Sequence, residues 1–360
     1  MGLPRSQYVQ EGQEGVYHCF SRCVRRAFLY GFDKDSGRDF SHRKRWIVER
    51  LRHLAAIFAI EVCAYAVMHN HYHVILRTRP DLALRWSDRE VARRWLTLFP
   101  LQRKPRGRAL PPLEEQISAL ASCPERIAVL RRRLSSLSWF MGRLNEYIAR
   151  AANKEDDVKG RFWESRFKCQ ALLDEAAIAA GMVYVDLNPI RAGWAETPED
   201  SDFTSIQERI RAWQNEAMRA ATVSGEELEE IPFADECFPL SESMDEAEQS
   251  RNPAPSFLCP IQSDSQHRGI LGMTTAEYID LVDRSGRLVR LNKRGAIDPD
   301  LAPILMRIGS NPQGWTDTIS RFGSKFQVAA GLSANLRSFA SLIGRRWIKG
   351  IAAARIAFAS

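Results

Sequence analysis

The 360-residue chain is poor in cysteine, and what it has follows no pattern: seven residues, an odd number, irregularly spaced and without a CxxC pair. That excludes a disulfide framework and a zinc knuckle, and it fits a reducing compartment. Long apolar runs are missing too. The best of them, Leu54 to Met68, is broken by Glu61 and falls short of the roughly 20 residues that span a membrane. The opening MGLPRSQYVQEGQEG carries no apolar stretch behind a basic start, so no secretory signal and a cytoplasmic location are expected. Internal repeats and low-complexity tracts are also lacking. What remains has the balance of a soluble globular protein, with 45% hydrophobic residues, enough to build a core over two or three domains' length of chain.

Charge of one sign is scarce only locally. Between Ala220 and Ser250 there are ten acidic residues and no basic one, so the formal +7 of the whole chain becomes +17 outside that stretch. Basic clusters recur there: Arg43-Lys44-Arg45, Arg103-Lys104-Pro105-Arg106-Gly107-Arg108, Arg131-Arg132-Arg133 and Arg345-Arg346. Any one run is equally well a solvated face. Together they suit a polyanionic partner, with nucleic acid the usual one.

Periodicity divides the chain into three pieces. Residues 1–215 carry an α+β pattern. Gly15 to Phe20, Val62 to Met68, His71 to Arg77 and Gly160 to Leu173 read as strands. A helix runs from Arg45 onward, another puts Leu137, Phe140, Met141, Leu144 and Ile148 on one face, and a third starts at Asp174, a good N-cap. That last helix is expected to end near Asn188, because Pro189 disfavours helical geometry before it. Residues 81–133 read as a mostly helical insertion. Residues 216–268 read as an acidic linker, and 269–360 as a small, basic helical domain with Leu301, Ile304, Leu305 and Ile308 at helical spacing.

Chemistry gathers in two places. In Met68-His69-Asn70-His71-Tyr72-His73-Val74-Ile75-Leu76, three of the seven histidines fall within five residues. On a strand His69, His71 and His73 point to one face, where imidazoles serve as metal ligands; two of the three suffice. The second place is Tyr184-Val185-Asp186-Leu187-Asn188-Pro189, where Tyr184 and Asn188 share a helix face. A lone tyrosine there usually fills a core, since its phenol is a weak nucleophile at neutral pH. A cation nearby, with the Asn188 amide completing its site, changes that by drawing charge off a phosphate held for in-line attack.

His71-Tyr72-His73, followed by Gly160-Arg161-Phe162-Trp163-Glu164-Ser165-Arg166-Phe167-Lys168 and then Tyr184-Val185-Asp186-Leu187-Asn188-Pro189-Ile190-Arg191-Ala192-Gly193, resembles the REP-associated tyrosine transposases. These belong to the single-tyrosine HUH superfamily, named for its His, bulky hydrophobic, His motif. The three motifs come in that family's order, and the resemblance covers about residues 15 to 210.

It implies a ferredoxin-like antiparallel sheet with packed helices, the His pair on a central strand and the tyrosine helix across it. It implies a bacterial, nucleoid-associated enzyme that cuts and rejoins single-stranded DNA beside hairpins through a 5′-phosphotyrosine intermediate, acting as a monomer or homodimer. On that resemblance Tyr184 is the nucleophile, His71, His73 and Asn188 are the ligands of Mg²⁺ or Mn²⁺, and Arg161, Arg166, Lys168 and Arg191 are DNA contacts. The interleaving of Arg161, Arg166 and Lys168 with aromatic residues also suits single strands, cations on phosphates and rings under bases. The chain departs from the family at His69, where proline is common, and in the length of 81–133.

Two rivals stand. His69-Asn70-His71-Tyr72-His73 approximates the histidine-triad pattern of nucleotide hydrolases, although Asn70 stands where that pattern wants a hydrophobic residue. The other is a DNA-binding regulator that keeps the fold and no longer cuts; the presence of both histidines, Tyr184 and Asn188 argues against it.

Overall fold

The computed structural model describes residues 4–24, 31–33, 37–102, 109–224, 257–265, 267–290 and 314–358. The basic run 103–108, most of the acidic stretch expected as a linker, and Leu301, Ile304, Leu305 and Ile308 lie outside them.

The chain opens with β1 (Gly15–Arg22), a two-residue ribbon β2 (Phe32–Asp33) and β3 (Arg38–Asp39), and α1 (Arg43–Ile57). β4 (Ile60–Val67) and β5 (His71–Thr78) form a hairpin closed by a Met68 N–H to His71 carbonyl bond of 2.8 Å. Four helices follow: α2 (Pro80–Arg85), α3 (Asp88–Leu98), α4 (Glu114–Ala121) and α5 (Pro124–Leu134). Two of them take proline in the first turn, where its missing N–H is not needed; α3 is capped by Ser87, which accepts from the Glu90 N–H. Then come α6 (Leu137–Glu155), β6 (Lys168–Leu172), α7 (Glu175–Asp186), the single turn α8 (Asn188–Arg191) and α9 (Ser205–Ser224). The C-terminal part holds α10 (Thr275–Arg290), α11 (Trp315–Lys325), β7 (Ala329–Ala330), α12 (Ser333–Leu342) and α13 (Ile351–Ala357).

The result is an α+β fold around a five-stranded mixed sheet of order β4–β5–β1–β6–β7. The first four strands pair antiparallel, and β7 joins β6 in parallel. Helices cover both faces. Tyr72 on β5 and Ser21 on β1 reach Asn145 of α6, and α1 packs on α6. The opposite face receives α7, which touches β4, β5 and β6. Gly181 lets this helix lie close: a Cβ there would stand 3.1 Å from Leu172 and 3.4 Å from Ile75. Double cover explains why Tyr72, Val74, Ile75 and Leu76 are all fully buried in a strand that reads as nearly continuous apolar sequence. Each large aliphatic side chain buried this way contributes about 1.5–3 kcal/mol.

One expectation needs correction. The strand expected over 160–173 is confined to 168–172. Phe162, Trp163 and Phe167 are all buried where a half-buried strand would alternate, and Trp163 is tied sideways by its indole N–H to the Asn145 carbonyl at 2.9 Å. The helix expected to end near Asn188 does so, closing at Asp186. Pro189 has no N–H for the Val185 carbonyl, and the Asn188 side chain donates instead, to Val185 at 3.4 Å and Tyr184 at 3.0 Å. Asp174 does cap α7, accepting from Ala177 at 3.0 Å.

Candidate active site

The site is built on β5. Its period of two puts His71 and His73 on the α7 face, with ring centroids 5.0 Å apart and planes at 84°. His69 does not join them. It lies in the hairpin turn before the strand begins, its ring 3.8 Å edge-on from Trp194. Only two of the three imidazoles therefore share the strand face.

Each of the two rings is held at one nitrogen. His71 Nδ1 lies 2.8 Å from Asn70 Oδ1. His73 Nδ1 lies 2.9 Å from Nε2 of His18, a β1 residue on the same sheet face, and these two rings stack at 5.1 Å. Burial pushes His71 down to about 4, helped by the charge of Arg22 and then by His69. Burial also takes His18 to about 4 and His73 well below its ordinary value, with His18, His71 and Arg191 adding to it. All three imidazoles are neutral at pH 7, the form that binds metal.

Tyr184, near the end of α7, faces this group. Its ring is 5.8 Å from His73 and 5.8 Å from His18, edge-on to both. Two further contacts fix it. Phe322 of α11 packs against the ring at 5.8 Å, and the Arg191 guanidinium lies 4.7 Å over it. Gly323 leaves room for the hydroxyl: a Cβ there would come within 3.2 Å of Oη. Arg191 donates through one terminal nitrogen to the Ser320 carbonyl. Its other, Nη1, is buried with no hydrogen-bond partner.

Asn188 follows Tyr184 by one turn and is 8% exposed. Its amide nitrogen is spent on the Tyr184 and Val185 carbonyls, which leaves Oδ1 as the free end. Asp186 points elsewhere, accepting from the Ser205 hydroxyl, from the Ile206 N–H at 3.0 Å and from the Tyr278 hydroxyl at 2.6 Å. Lys168 opens β6 opposite Phe20, its ammonium 5.5 Å from that ring, and Phe20 is 5.4 Å from His73. Arg161 and Arg166 are exposed in the loop before β6.

Among the described residues no group of three or more His, Cys, Asp or Glu side chains is placed to hold a metal ion. A cation here would rely on two neutral imidazoles and an amide oxygen. That donor set suits Mn²⁺, and Mg²⁺ if water fills most positions. The tethered Nδ1 atoms of His71 and His73 fit such use, since each leaves Nε2 as the nitrogen that could coordinate.

No family model matches the chain, and no curated protein sequence does. Among solved structures, that of a REP-associated tyrosine transposase bound to a REP hairpin aligns at 13% identity and a TM-score of 0.35, over 59% of this chain and 86% of that one. No helix among the described residues is long and apolar enough to cross a membrane.

Sequence reasoning missed His18, Phe322 and Gly323. His18 shares a strand face with Val16 and Phe20, and only the pairing of β1 with β5 places it beside His73. Nothing in the local sequence ties Phe322 or Gly323 to a tyrosine so far upstream.

Proposed function

We propose that the chain is a transposase-type endonuclease and strand transferase acting on single-stranded DNA next to hairpins, with Tyr184 as nucleophile. The observation that carries this reading is the meeting of Tyr184 with the His71–His73 pair on one sheet face. The strand order β4–β5–β1–β6, with α1 and α6 on one side, is also that of a ferredoxin-like core and supports the HUH arrangement.

In the forward step Tyr184 Oη attacks the scissile phosphorus. The bond to the 3′ oxygen breaks, the phenol gives up a proton and the leaving oxygen takes one. The products are a 5′-phosphotyrosine and a free 3′-OH, and rejoining is the reverse. His71 Nε2, His73 Nε2 and Asn188 Oδ1 would hold Mg²⁺ or Mn²⁺, which supplies charge neutralisation at the phosphate. Arg191 adds a buried N–H donor with no protein partner beside the phenol, a seat for a phosphate oxygen. Lys168 lies at the Phe20 edge of the site, and with the exposed Arg161 and Arg166 of the preceding loop it would meet backbone phosphates.

The test is a cleavage assay on end-labelled single-stranded hairpins from beside the gene, with Mn²⁺ or with chelator. Cleavage that needs metal and Tyr184 supports the reading. Hairpin binding without any cleavage would favour the non-cutting regulator.

A further inference from the structure

We infer that His18 is a positioning residue, holding His73 in the one tautomer whose Nε2 can bind a cation, with Gln170 behind it as the group that sets the direction. The inference rests on the reading of His71 and His73 as metal ligands.

His18 Nε2 and His73 Nδ1 are 2.9 Å apart, and both residues are buried, 2% and 6% exposed. One proton lies between them, and it has two possible owners. If His73 Nδ1 carries it and donates to His18, then His73 Nε2 keeps its lone pair. If His18 Nε2 carries it, the proton of neutral His73 sits on Nε2, where it blocks coordination.

The far side of His18 decides between these. In the first arrangement His18 carries its own proton on Nδ1 and needs an acceptor there. Gln170 is the cross-strand partner of His18 on β6, is 4% exposed, and its side-chain amide lies against the His18 ring, its buried Oε1 having no other hydrogen-bond donor. An amide oxygen only accepts. It draws the His18 proton to Nδ1, makes His18 Nε2 an acceptor, and so places the shared proton on His73 Nδ1. A buried acceptor left without a donor is costly, so the other order leaves that penalty standing. His71 reaches the same result by a shorter route, with Asn70 Oδ1 accepting at Nδ1. Both rings are thus held at Nδ1, which leaves Nε2 to a cation, as hydrogen-bonded neighbours orient metal-bound histidines.

The first readout needs no metal and no substitution. Full-length protein labelled with ¹⁵N-histidine is examined by long-range ¹H–¹⁵N correlation. His73 and His18 are expected as Nδ1–H tautomers; His73 found as the Nε2–H tautomer would overturn the inference. The second readout is Mn²⁺ affinity, from the free-ion signal in electron paramagnetic resonance. His18→Phe, which keeps a ring but offers no acceptor, should weaken binding by roughly 10–100-fold, and His18→Gln, which restores an acceptor oxygen, should recover most of it. If His18→Phe binds Mn²⁺ within twofold of wild type while His73→Ala has lost it, His18 has no positioning role. If His71→Ala and His73→Ala leave Mn²⁺ binding intact, the metal site itself is wrong and the inference falls with it.

Discussion

The ring of Tyr184 stands edge-on to that of His73, centroids 5.8 Å apart and planes at 86°. One residue comes from the last full turn of α7 and the other from the middle strand of the β4–β5–β1 group. The phenol therefore meets the imidazole pair at a sheet surface sealed by helix on both sides.

Tyr184→Phe should abolish strand cleavage and leave hairpin binding and folding intact. Among the described residues Tyr184 is held by contacts to its ring and not by a hydrogen bond of its hydroxyl, so stability should stay within about 0.5 kcal/mol. A denaturing gel beside a thermal melt checks both parts.

Gly323→Val should slow cleavage by roughly 100-fold without changing Mn²⁺ affinity. Even the first carbon of the new side chain would press on Tyr184 Oη at 3.2 Å, and a displacement near 1 Å at a reacting group costs about that much. Gly323→Ala should lie between valine and wild type. Equal rates in all three would remove α11 from any role in placing the phenol.

Acid should destabilise the protein already above the range where ordinary, exposed carboxylates titrate. His18 and His71 sit at about 4 in the folded state against 6.5 when free, so between those values the unfolded chain binds more protons. Their contribution is complete above pH 6.5 and is lost as pH falls toward 4, on the order of 3 kcal/mol for fully buried His18. Urea unfolding at a series of pH values checks this, and His18→Phe should flatten the slope.

Asp186 acts in the opposite sense. Burial is the main cause that lifts it to about 6, against the hydrogen bonds from Ser205 and Tyr278 that favour its charged form. Between about 4 and 6 the folded state holds a proton that the unfolded chain has released. The stability this gives is present below pH 4 and lost as pH rises through 6. Asp186→Asn removes that offset, so its unfolding free energy should fall more steeply with acid than that of wild type over the same range.

The pairing of His71 with His73 on one face was legible because a strand's period of two is written in the sequence. His69 misled for the same reason: the pattern continues backward through Asn70, but the hairpin turns there and the strand begins at His71. Tyr184 and Asn188 could be matched by their spacing, although the chain breaks α7 between them, and it took the structure to show the Asn188 amide repairing that break. The strand expected from Gly160 shrank because its aromatic residues all face inward. His18 and Phe322 were illegible in principle, since each acts through a pairing or a packing contact between distant segments.

The central claim is that Tyr184 is the nucleophile, and the most direct test is to identify the atom that carries the DNA. Protein incubated with single-stranded hairpin and Mn²⁺ would be digested with protease and nuclease and its peptides examined by mass spectrometry. A nucleotide phosphate on the peptide containing Tyr184, absent with chelator and absent from Tyr184→Phe, is the predicted result. Cleaved DNA with no modified peptide, or the nucleotide on another residue, would contradict it.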